Sequence, residues 1–251
     1  FSPSFRCYSE IISAIFNTPH PDFSCVSFAL RKLFPFLGIR AYYFHGNLSE
    51  TLCAPLLEYA NDLKFGHIWQ GIRTEKQHIH QLIFDKQTVL LGEDDVVISA
   101  IDSFNYHRIM GGYDFDYQPI CNIFYRTSVA LSLPNRHEML GLKNGIGHWL
   151  FTSPEYTSVT ISHPEVTPDP RAVWKEICDL RNYNSAFMPT HQVRIFPRAT
   201  ICQDKANNAK RPCSCRIDFD NLFICGDWTM KNQPCCIETA LASAKRLVQL
   251  L

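Results

Sequence analysis

Charge is scarce in this sequence, and neither sign is in excess. Only 19% of the 251 residues are charged, with 24 Lys and Arg against 24 Asp and Glu, while 46% are hydrophobic. A nucleic-acid-binding protein usually presents a basic face, so this balance argues against that class of partner. The composition is that of a folded chain large enough for one domain or two interleaved lobes, and it fits a neutral or apolar small-molecule partner.

The sequence also lacks an apolar run long enough to span a membrane. The nearest approach is residues 23–39, which Arg31, Lys32 and Pro35 interrupt. This run is either a core helix that ends at Pro35 or a peripheral membrane contact with its basic residues at the headgroups. No secretory signal precedes it, so we expect a cytoplasmic protein, with any membrane contact on the inner face. The chain opens at Phe1, and we expect an N-terminal truncation.

Cysteine is plentiful, yet the spacing typical of zinc sites is missing. None of the eleven cysteines forms a Cys-x-x-Cys pair. Cys213, Cys215, Cys235 and Cys236 are close enough in sequence to suggest a zinc cluster, but the pattern does not favour one. We expect reduced thiols and no metal site.

Hydrophobic periodicity predicts helices and strands that interleave without regular βαβ alternation. Helices are predicted in 1–38 (with a break at 17–22), 169–183 and 236–251. Strands are predicted at 78–84, 87–93, 94–101, 122–133, 147–153, 156–163, 191–196 and 221–226. Residues 94–101 are apolar on both faces, which is typical of a central strand. The order indicates an α/β fold with α+β character, in which two lobes exchange chain segments.

The closing segment places a carboxylate where open α/β sheets bind ligands. A buried strand ends at Gly226 and Asp227, and a helix begins about ten residues later, near Ile237. The carboxyl ends of such strands and the free N–H groups of the helix then face one crevice. Asp227 is either a hydrogen-bond acceptor for a sugar-like hydroxyl or an ordinary helix-capping residue.

This ending, "NLFICGDWTMKNQPCCIETALASAKRL", resembles the C-terminal flavin-binding motif of the flavin amine oxidase and phytoene desaturase-like superfamily. The Gly-Asp-Trp-Thr sequence is most similar to that of the hydroxysqualene dehydroxylases, squalene-associated FAD-dependent enzymes within it. Supporting similarity runs through 48–62, 94–101, 117–126, 139–151, 158–163 and 198–200.

The resemblance implies FAD as the cofactor and assigns roles by position. Gly226 and Asp227 are expected at the ribityl and pyrophosphate region of FAD. Ile237 and Glu238 are expected at the helix end beneath the flavin. Trp228 and Pro234 are expected to line its ring.

One element of the superfamily is absent. Its members carry a Gly-x-Gly-x-x-Gly motif that holds the pyrophosphate, and none of the eleven glycines here forms one; "GIGHWL" (145–150) lacks the third glycine. We therefore expect the C-terminal part of a two-lobe flavoprotein, whose missing N-terminal half is a partner in binding FAD. The expected division is a helical part of the substrate lobe (1–72), a FAD-lobe hairpin and strand (73–105), a substrate-lobe sheet and helix (106–200) and a FAD-lobe closing strand and helix (201–251).

The implied reaction is the reductive removal of the allylic hydroxyl of hydroxysqualene, an apolar isoprenoid, in squalene and hopanoid biosynthesis. His148, His163 and Tyr125 are conceivable acids for hydroxide departure, but the sequence assigns none of them. Two alternatives stay open. One is a carotenoid-type desaturase or flavin amine oxidase, and the other is a non-catalytic truncated flavoprotein or apolar-ligand module.

Overall fold

The computed structural model describes residues 10, 12–33, 48–126, 139–153, 156–215 and 218–251. The parts of the predicted helical region at 1–9 and 34–38, including Pro35, lie outside this range, as do residues 127–133 of the predicted strand 122–133. No helix of the described residues is both long and apolar enough to cross a bilayer.

The described strands and α-helices, each numbered in chain order, have the following bounds. The strands are β1 (Trp69–Glu75), β2 (His78–Phe84), β3 (Thr88–Leu90), β4 (Val97–Ser99), β5 (Tyr117–Arg126), β6 (Met139–Gly141), β7 (Trp149–Thr152), β8 (Tyr156–Ser162), β9 (His191–Ile201) and β10 (Leu222–Ile224). The α-helices are α1 (Phe23–Leu33), α2 (Ala54–Leu57), α3 (Ser103–Met110), α4 (Pro170–Arg181), α5 (Lys205–Lys210) and α6 (Ile237–Val248), with a π-helix at Ser49–Cys53 and a 3-10 helix at Asp227–Thr229. Residues 12–16 are also helical.

The largest sheet has five strands in the order β6-β7-β8-β5-β9, and every neighbouring pair is antiparallel. One face of this sheet is covered by α4. The helix begins as predicted, because the Asp169 side chain accepts a hydrogen bond from the Arg171 N–H and Pro170 occupies the first turn. It ends where Asn182 adopts a left-handed conformation, with φ of 55°.

The core between α4 and this sheet is apolar and closed to solvent. It consists of Cys121, Ile123, Tyr125, Leu150, Val159, Ile161, Val173, Trp174, Ile177 and Cys178. Alternation along β5 supplies Cys121, Ile123 and Tyr125, because successive side chains of a strand point to opposite faces. The helical spacing along α4 supplies its four members in the same way.

A second, three-stranded sheet has the order β1-β2-β3 and contains the predicted hairpin. Its first strand, β1, was not predicted. The boundary expected after residue 72 falls inside β1, and the one expected after residue 200 falls inside β9. The division into lobes, with these boundaries, stays a prediction.

The third sheet consists of β4 and β10 alone, paired in parallel from Val97↔Leu222 to Ser99↔Ile224. This confirms the predicted association of two segments far apart in sequence. The expectation that 94–101 is buried on both faces is wrong for the described residues, because Ile98 is 48% exposed. Each strand leads into a helix, β4 into α3 and β10 through a loop into α6. Mixed helices and sheets confirm the α/β fold class with α+β character.

Candidate functional site

The site is built where β4 and β10 end. Because the two strands run in parallel, their carboxyl ends meet at the same edge. After β4 the chain reaches Asp102 and Ser103, at the start of α3, and after β10 it reaches Gly226 and Asp227. The predicted carboxylate therefore lies beside polar residues from another part of the chain.

Gly226 has a conformation and surroundings that require glycine. Its φ of 143° is rarely adopted by residues with a side chain. A Cβ here would lie 3.0 Å from Nε1 of Trp228. The Gly226 N–H donates to Ser243 Oγ at 2.8 Å, and its carbonyl accepts from Thr229 Oγ1 at 2.8 Å. Of the atoms that a side chain at position 226 would meet, the nearest thus belongs to the Trp228 indole.

Asp227 begins the 3-10 helix and does not cap a helix. The N-cap of the 3-10 helix is Gly226 and that of α6 is Cys236, and neither position has a side-chain cap hydrogen bond. Burial raises the pKa of the Asp227 carboxyl, while the Arg211 guanidinium acts in the opposite direction. The structure thus removes the capping interpretation for the two helices that flank Asp227.

Trp228 is 2% exposed and anchors this edge. Its Nε1 donates to the Ile101 carbonyl at 3.0 Å, which ties the end of β10 to the end of β4. Its ring packs against those of Tyr106, Tyr113 and Phe115, with centroids 5.4 to 6.3 Å apart. The cluster gives the site a rigid aromatic floor.

A cavity of about 340 Å³ opens beside these residues. It is lined by Asp102, Ser103, Phe104, Asn105, Tyr117, Arg198, Ala199, Thr200, Ile201, Asp227, Trp228 and Cys235. Within it, Tyr117 Oη and Ser103 Oγ are 2.9 Å apart, and the Arg198 guanidinium lies 3.7 Å from the centre of the Phe104 ring. The cavity combines a carboxylate, hydroxyl groups and a cation stacked on an aromatic ring.

Of the six predicted site residues, the cavity brings two together, Asp227 and Trp228. Gly226 is adjacent in sequence. Pro234 is partly buried in the following loop, and Ile237 and Glu238 are exposed in the first turn of α6. Their expected contacts with FAD stay predictions.

Three buried polar side chains hold the loop between Asp227 and α6. Arg211, which is almost completely buried, donates to the carbonyls of Met230 and Gln233, and its Nη2 lies 3.1 Å from Cys235 Sγ. Two further contacts come from the preceding chain: Asn208 Oδ1 accepts from the Asn232 N–H, and Gln203 Oε1 accepts from the Cys235 N–H, both at 2.8 Å. Arg211 Nε is buried without a hydrogen-bond partner among the described residues, but the other bonds hold the loop in one conformation, so it is positioned before any ligand binds.

The three conceivable acids lie elsewhere. Tyr125 is fully buried in the main core and donates to the Pro170 carbonyl at 2.7 Å. His163 Nε2 is 2.8 Å from Ser13 Oγ, and His148 Nδ1 accepts from the Ser162 N–H. None of the three lines the cavity that contains Asp227. Their contacts are those of structural residues.

The glycine pair in "GIGHWL" binds a carboxylate of the protein itself. The N–H groups of Ile146 and Gly147 donate to Glu176 Oε2, at 2.9 and 3.2 Å. A Cβ on Gly145 would lie 1.6 Å from Glu176 Oε1. The loop therefore anchors α4 to the sheet, and its amides are already used.

The cysteines of the described residues are free thiols: Cys25, Cys53, Cys121, Cys178, Cys202, Cys213, Cys215, Cys225, Cys235 and Cys236. Across the described ranges, no three His, Cys, Asp or Glu side chains are grouped as metal ligands would be. Burial raises the pKa of the Cys235 thiol far above its usual range, so this group stays protonated. The expected absence of zinc stays a prediction for metal analysis of the purified protein.

Most of the residues that line the cavity were not predicted from the sequence. Asp102 and Ser103 carried a usable signal, because they directly follow a segment that is predicted to be a central strand. Tyr117, Arg198 and Thr200 come from β5 and β9, whose ends reach the site only through the register of the five-stranded sheet. That register could not be read from the sequence.

Comparison with known proteins confirms the sequence resemblance. The chain is similar to the hydroxysqualene dehydroxylases of Rhodopseudomonas palustris (30% identity), Sinorhizobium fredii (28%) and Zymomonas mobilis (26%), each over 81% of its length. It spans about half the length of these relatives (50 to 51%). No family model matches the chain.

Solved structures show that the fold is shared with amine oxidases. Cyclohexylamine oxidase from Brevibacterium oxydans superimposes over 100% of this chain and 64% of its own, with a TM-score of 0.71 at 9% identity. Putrescine oxidase superimposes over 80% of this chain and 52% of its own, with a TM-score of 0.57 at 6% identity. At these identities the likeness concerns the fold alone.

Proposed function

We propose that this chain forms part of a FAD-dependent oxidoreductase that reductively removes the hydroxyl group of hydroxysqualene. The observation that carries the proposal is the cavity that Asp227 lines together with Tyr117 and Ser103, beside the ends of two parallel strands. The similarity to three hydroxysqualene dehydroxylases over 81% of the chain supports the choice of substrate.

The described residues fit one end of FAD. Asp227 offers an acceptor for ribityl hydroxyls, and the first turn of α6 has no side-chain cap, so its N–H groups can serve a ligand. The glycine-containing loop at 145–147 does not offer a second phosphate cradle, because Glu176 already occupies its amides. The pyrophosphate would therefore need groups beyond those that these residues provide.

When bound, reduced FAD would supply a hydride to the carbon whose hydroxyl group leaves, with a proton, as water, and the flavin would be left oxidised. The protein's own residues position the reactants and exclude water. Trp228, Phe104 and Ile201 give the cavity an apolar lining suited to an isoprenoid chain. Arg198, stacked on Phe104, adds a fixed positive charge to the cavity.

We further propose that a segment corresponding to the other half of the relatives docks on β4, β10 and α6. Ile98 on β4 is 48% exposed, and Ile237, Leu241 and Val248 form an exposed apolar stripe along α6. Parallel sheets are normally covered on both faces, and two strands alone are marginal. The docked segment would cover these side chains and complete the FAD site.

A second candidate is an amine-oxidising flavoenzyme, in which the flavin accepts the hydride. The fold shared with cyclohexylamine oxidase favours this candidate. Consumption of hydroxysqualene with formation of squalene, under a reductant for the flavin, distinguishes the first candidate. Oxidation of a primary amine by the same preparation distinguishes the second.

The test of the cofactor site is Asp227→Ala in the flavin-loaded protein, completed by the segment that docks on α6. Loss of one charge-assisted hydrogen bond costs about 1.5–3 kcal/mol, which is roughly a ten- to hundredfold loss of FAD affinity. The matched control is Asp94→Ala, at an exposed position outside the cavity, and it should retain FAD. Full FAD retention by Asp227→Ala would contradict the assignment.

The requirement for the docked segment has its own test. Residues 1–251 purified alone should carry little or no flavin, measured by absorbance after gel filtration. One equivalent of FAD on this chain alone would show that its own residues provide the pyrophosphate site.

A further inference from the structure

Two hydroxyl groups of the cavity are paired with each other and with nothing else in the described chain. Tyr117 is the first residue of β5 and Ser103 is the first residue of α3, and their oxygens are 2.9 Å apart. Two hydroxyls carry two hydrogens, and the bond between them uses one. One hydrogen and several lone pairs therefore remain for a ligand.

The neighbours of the pair keep it available as a donor and an acceptor. Burial raises the pKa of Tyr117, so its hydroxyl stays protonated at neutral pH, although Arg198 and the hydrogen bond from Ser103 act in the opposite direction. Asp102 already uses its carboxylate to cap α3, accepting from the Asn105 N–H. It therefore does not compete for the two hydroxyls.

We infer that the Tyr117–Ser103 pair is the recognition site for the hydroxyl group of the isoprenoid substrate. This rests on the proposed function, in which the substrate carries a hydroxyl group and the product does not. The free hydrogen of the pair donates to the substrate oxygen, and a free lone pair accepts the substrate hydrogen. The apolar remainder of the ligand lies against Trp228, which lines the same cavity.

The pair would then make the cavity bind the substrate more tightly than the product. A hydrogen-bonding site that receives a ligand without the matching group is left unpaired, and this penalty is the source of discrimination. A single neutral hydrogen bond corresponds to a preference of roughly two- to tenfold. We therefore expect hydroxysqualene to bind roughly two- to tenfold more tightly than squalene.

The experiment measures the binding of both ligands, in detergent micelles, to the 251-residue chain without cofactor. Tryptophan fluorescence reports binding, because Trp228 lies in the cavity wall. Tyr117→Phe removes the hydroxyl and keeps the ring, and it should abolish the preference by weakening hydroxysqualene alone. Ser103→Ala, which leaves the Asp102 cap in place, should reduce the preference partially.

The matched control is Tyr156→Phe, at an exposed tyrosine on β8 outside the cavity, and it should keep the preference. Thermal unfolding of every variant shows whether the fold is intact. Equal affinity of the unmodified chain for both ligands, binding of neither, or an unchanged preference in Tyr117→Phe would overturn the inference.

The outcome is separable from that of the proposed function. Selective binding of hydroxysqualene without its reduction by the completed flavoprotein would support the pair and contradict the reaction. Reduction of hydroxysqualene by a protein that binds both ligands equally would support the reaction and contradict the pair.

Discussion

The five-stranded sheet with α4 and the parallel pair β4–β10 with α6 differ in how completely they cover their apolar side chains. In the first region, residues such as Ile123, Leu150 and Ile177 are fully buried between sheet and helix. In the second, α6 buries Leu247 on one side and leaves Leu241 58% exposed on the other. The first region closes a core between sheet and helix, although Ile195 and Phe196 of its edge strand β9 are about half exposed. The second region leaves the outer apolar face of its helix uncovered.

This difference matters because the cavity draws on both regions. Tyr117 and Arg198 come from β5 and β9, while Ser103 and Asp227 follow β4 and β10. Under the proposals above, Tyr117 of the first region and Ser103 of the second would bind the substrate, and Asp227 of the second would bind the cofactor. The buried Arg211 holds the loop between Asp227 and α6 in place through hydrogen bonds within this chain. The binding residues are thus preorganised even though part of the surrounding surface is open.

The largest expected effect comes from shortening one side chain of similar size in each of the two regions and comparing the losses of stability. Ile177→Ala should lower the free energy of unfolding by about 2–5 kcal/mol, because it leaves a cavity in a closed core. Leu241→Ala should change it by less than about 0.5 kcal/mol, because its side chain is mostly in solvent. Urea denaturation of residues 1–251 measures both. Equal losses would mean that the outer face of α6 is already covered.

A smaller effect is expected at the loop that joins α4 to the sheet. Gly145→Ala places a Cβ against the Glu176 carboxylate and should displace it from the amides of Ile146 and Gly147. The expected loss is about 1–3 kcal/mol of unfolding free energy. Gly71→Ala is the matched control, since a Cβ there meets no atom within 4 Å. A stable Gly145→Ala protein would show that Glu176 does not anchor the loop.

The sequence predicted those helices and strands that depend on residues close to one another in the chain. The placement of 94–101 and 221–226 in one lobe came from the family resemblance, and their parallel pairing was not predicted. Asp169 and Pro170, by contrast, predicted the start of α4, and alternation predicted β7, β8 and the second half of β5. These signals depend on neighbours within a few residues, so one sequence suffices to read them.

The unpredicted features depend on partners distant in sequence. Ile98 is exposed although its strand is apolar on both faces, a pattern that normally indicates burial. The pattern shows that these side chains need to be covered, but it does not show that this chain covers them. Trp69–Glu75 lacks clear alternation and forms β1 through its pairing with β2. The role of Arg211 in holding the loop arises from contacts with residues some twenty positions away in sequence, which no local pattern shows.

The smallest expected effect is the pH dependence of the closed region, which contains two half-buried histidines. Burial lowers the pKa of both His148 and His163; the charge of His163 lowers that of His148 further, and Glu10 and Glu165 act in the opposite direction. The unfolded chain therefore binds protons more readily than the folded chain. Stability is full above the unfolded value of about 6.5 and should fall as the pH drops through the folded pKa values.

His148→Asn should reduce this loss, because an asparagine oxygen can accept the hydrogen bond from Ser162 without taking up a proton. Urea denaturation at several pH values between about 5 and 7.5 measures the slope. His20→Asn, at an exposed position, is the control and should leave the slope unchanged. If His148→Asn keeps the full slope, other groups dominate the acid sensitivity. A weaker dependence of the unfolding free energy on pH would show that the closed region disfavours a charge on His148, in contrast to the open face of α6.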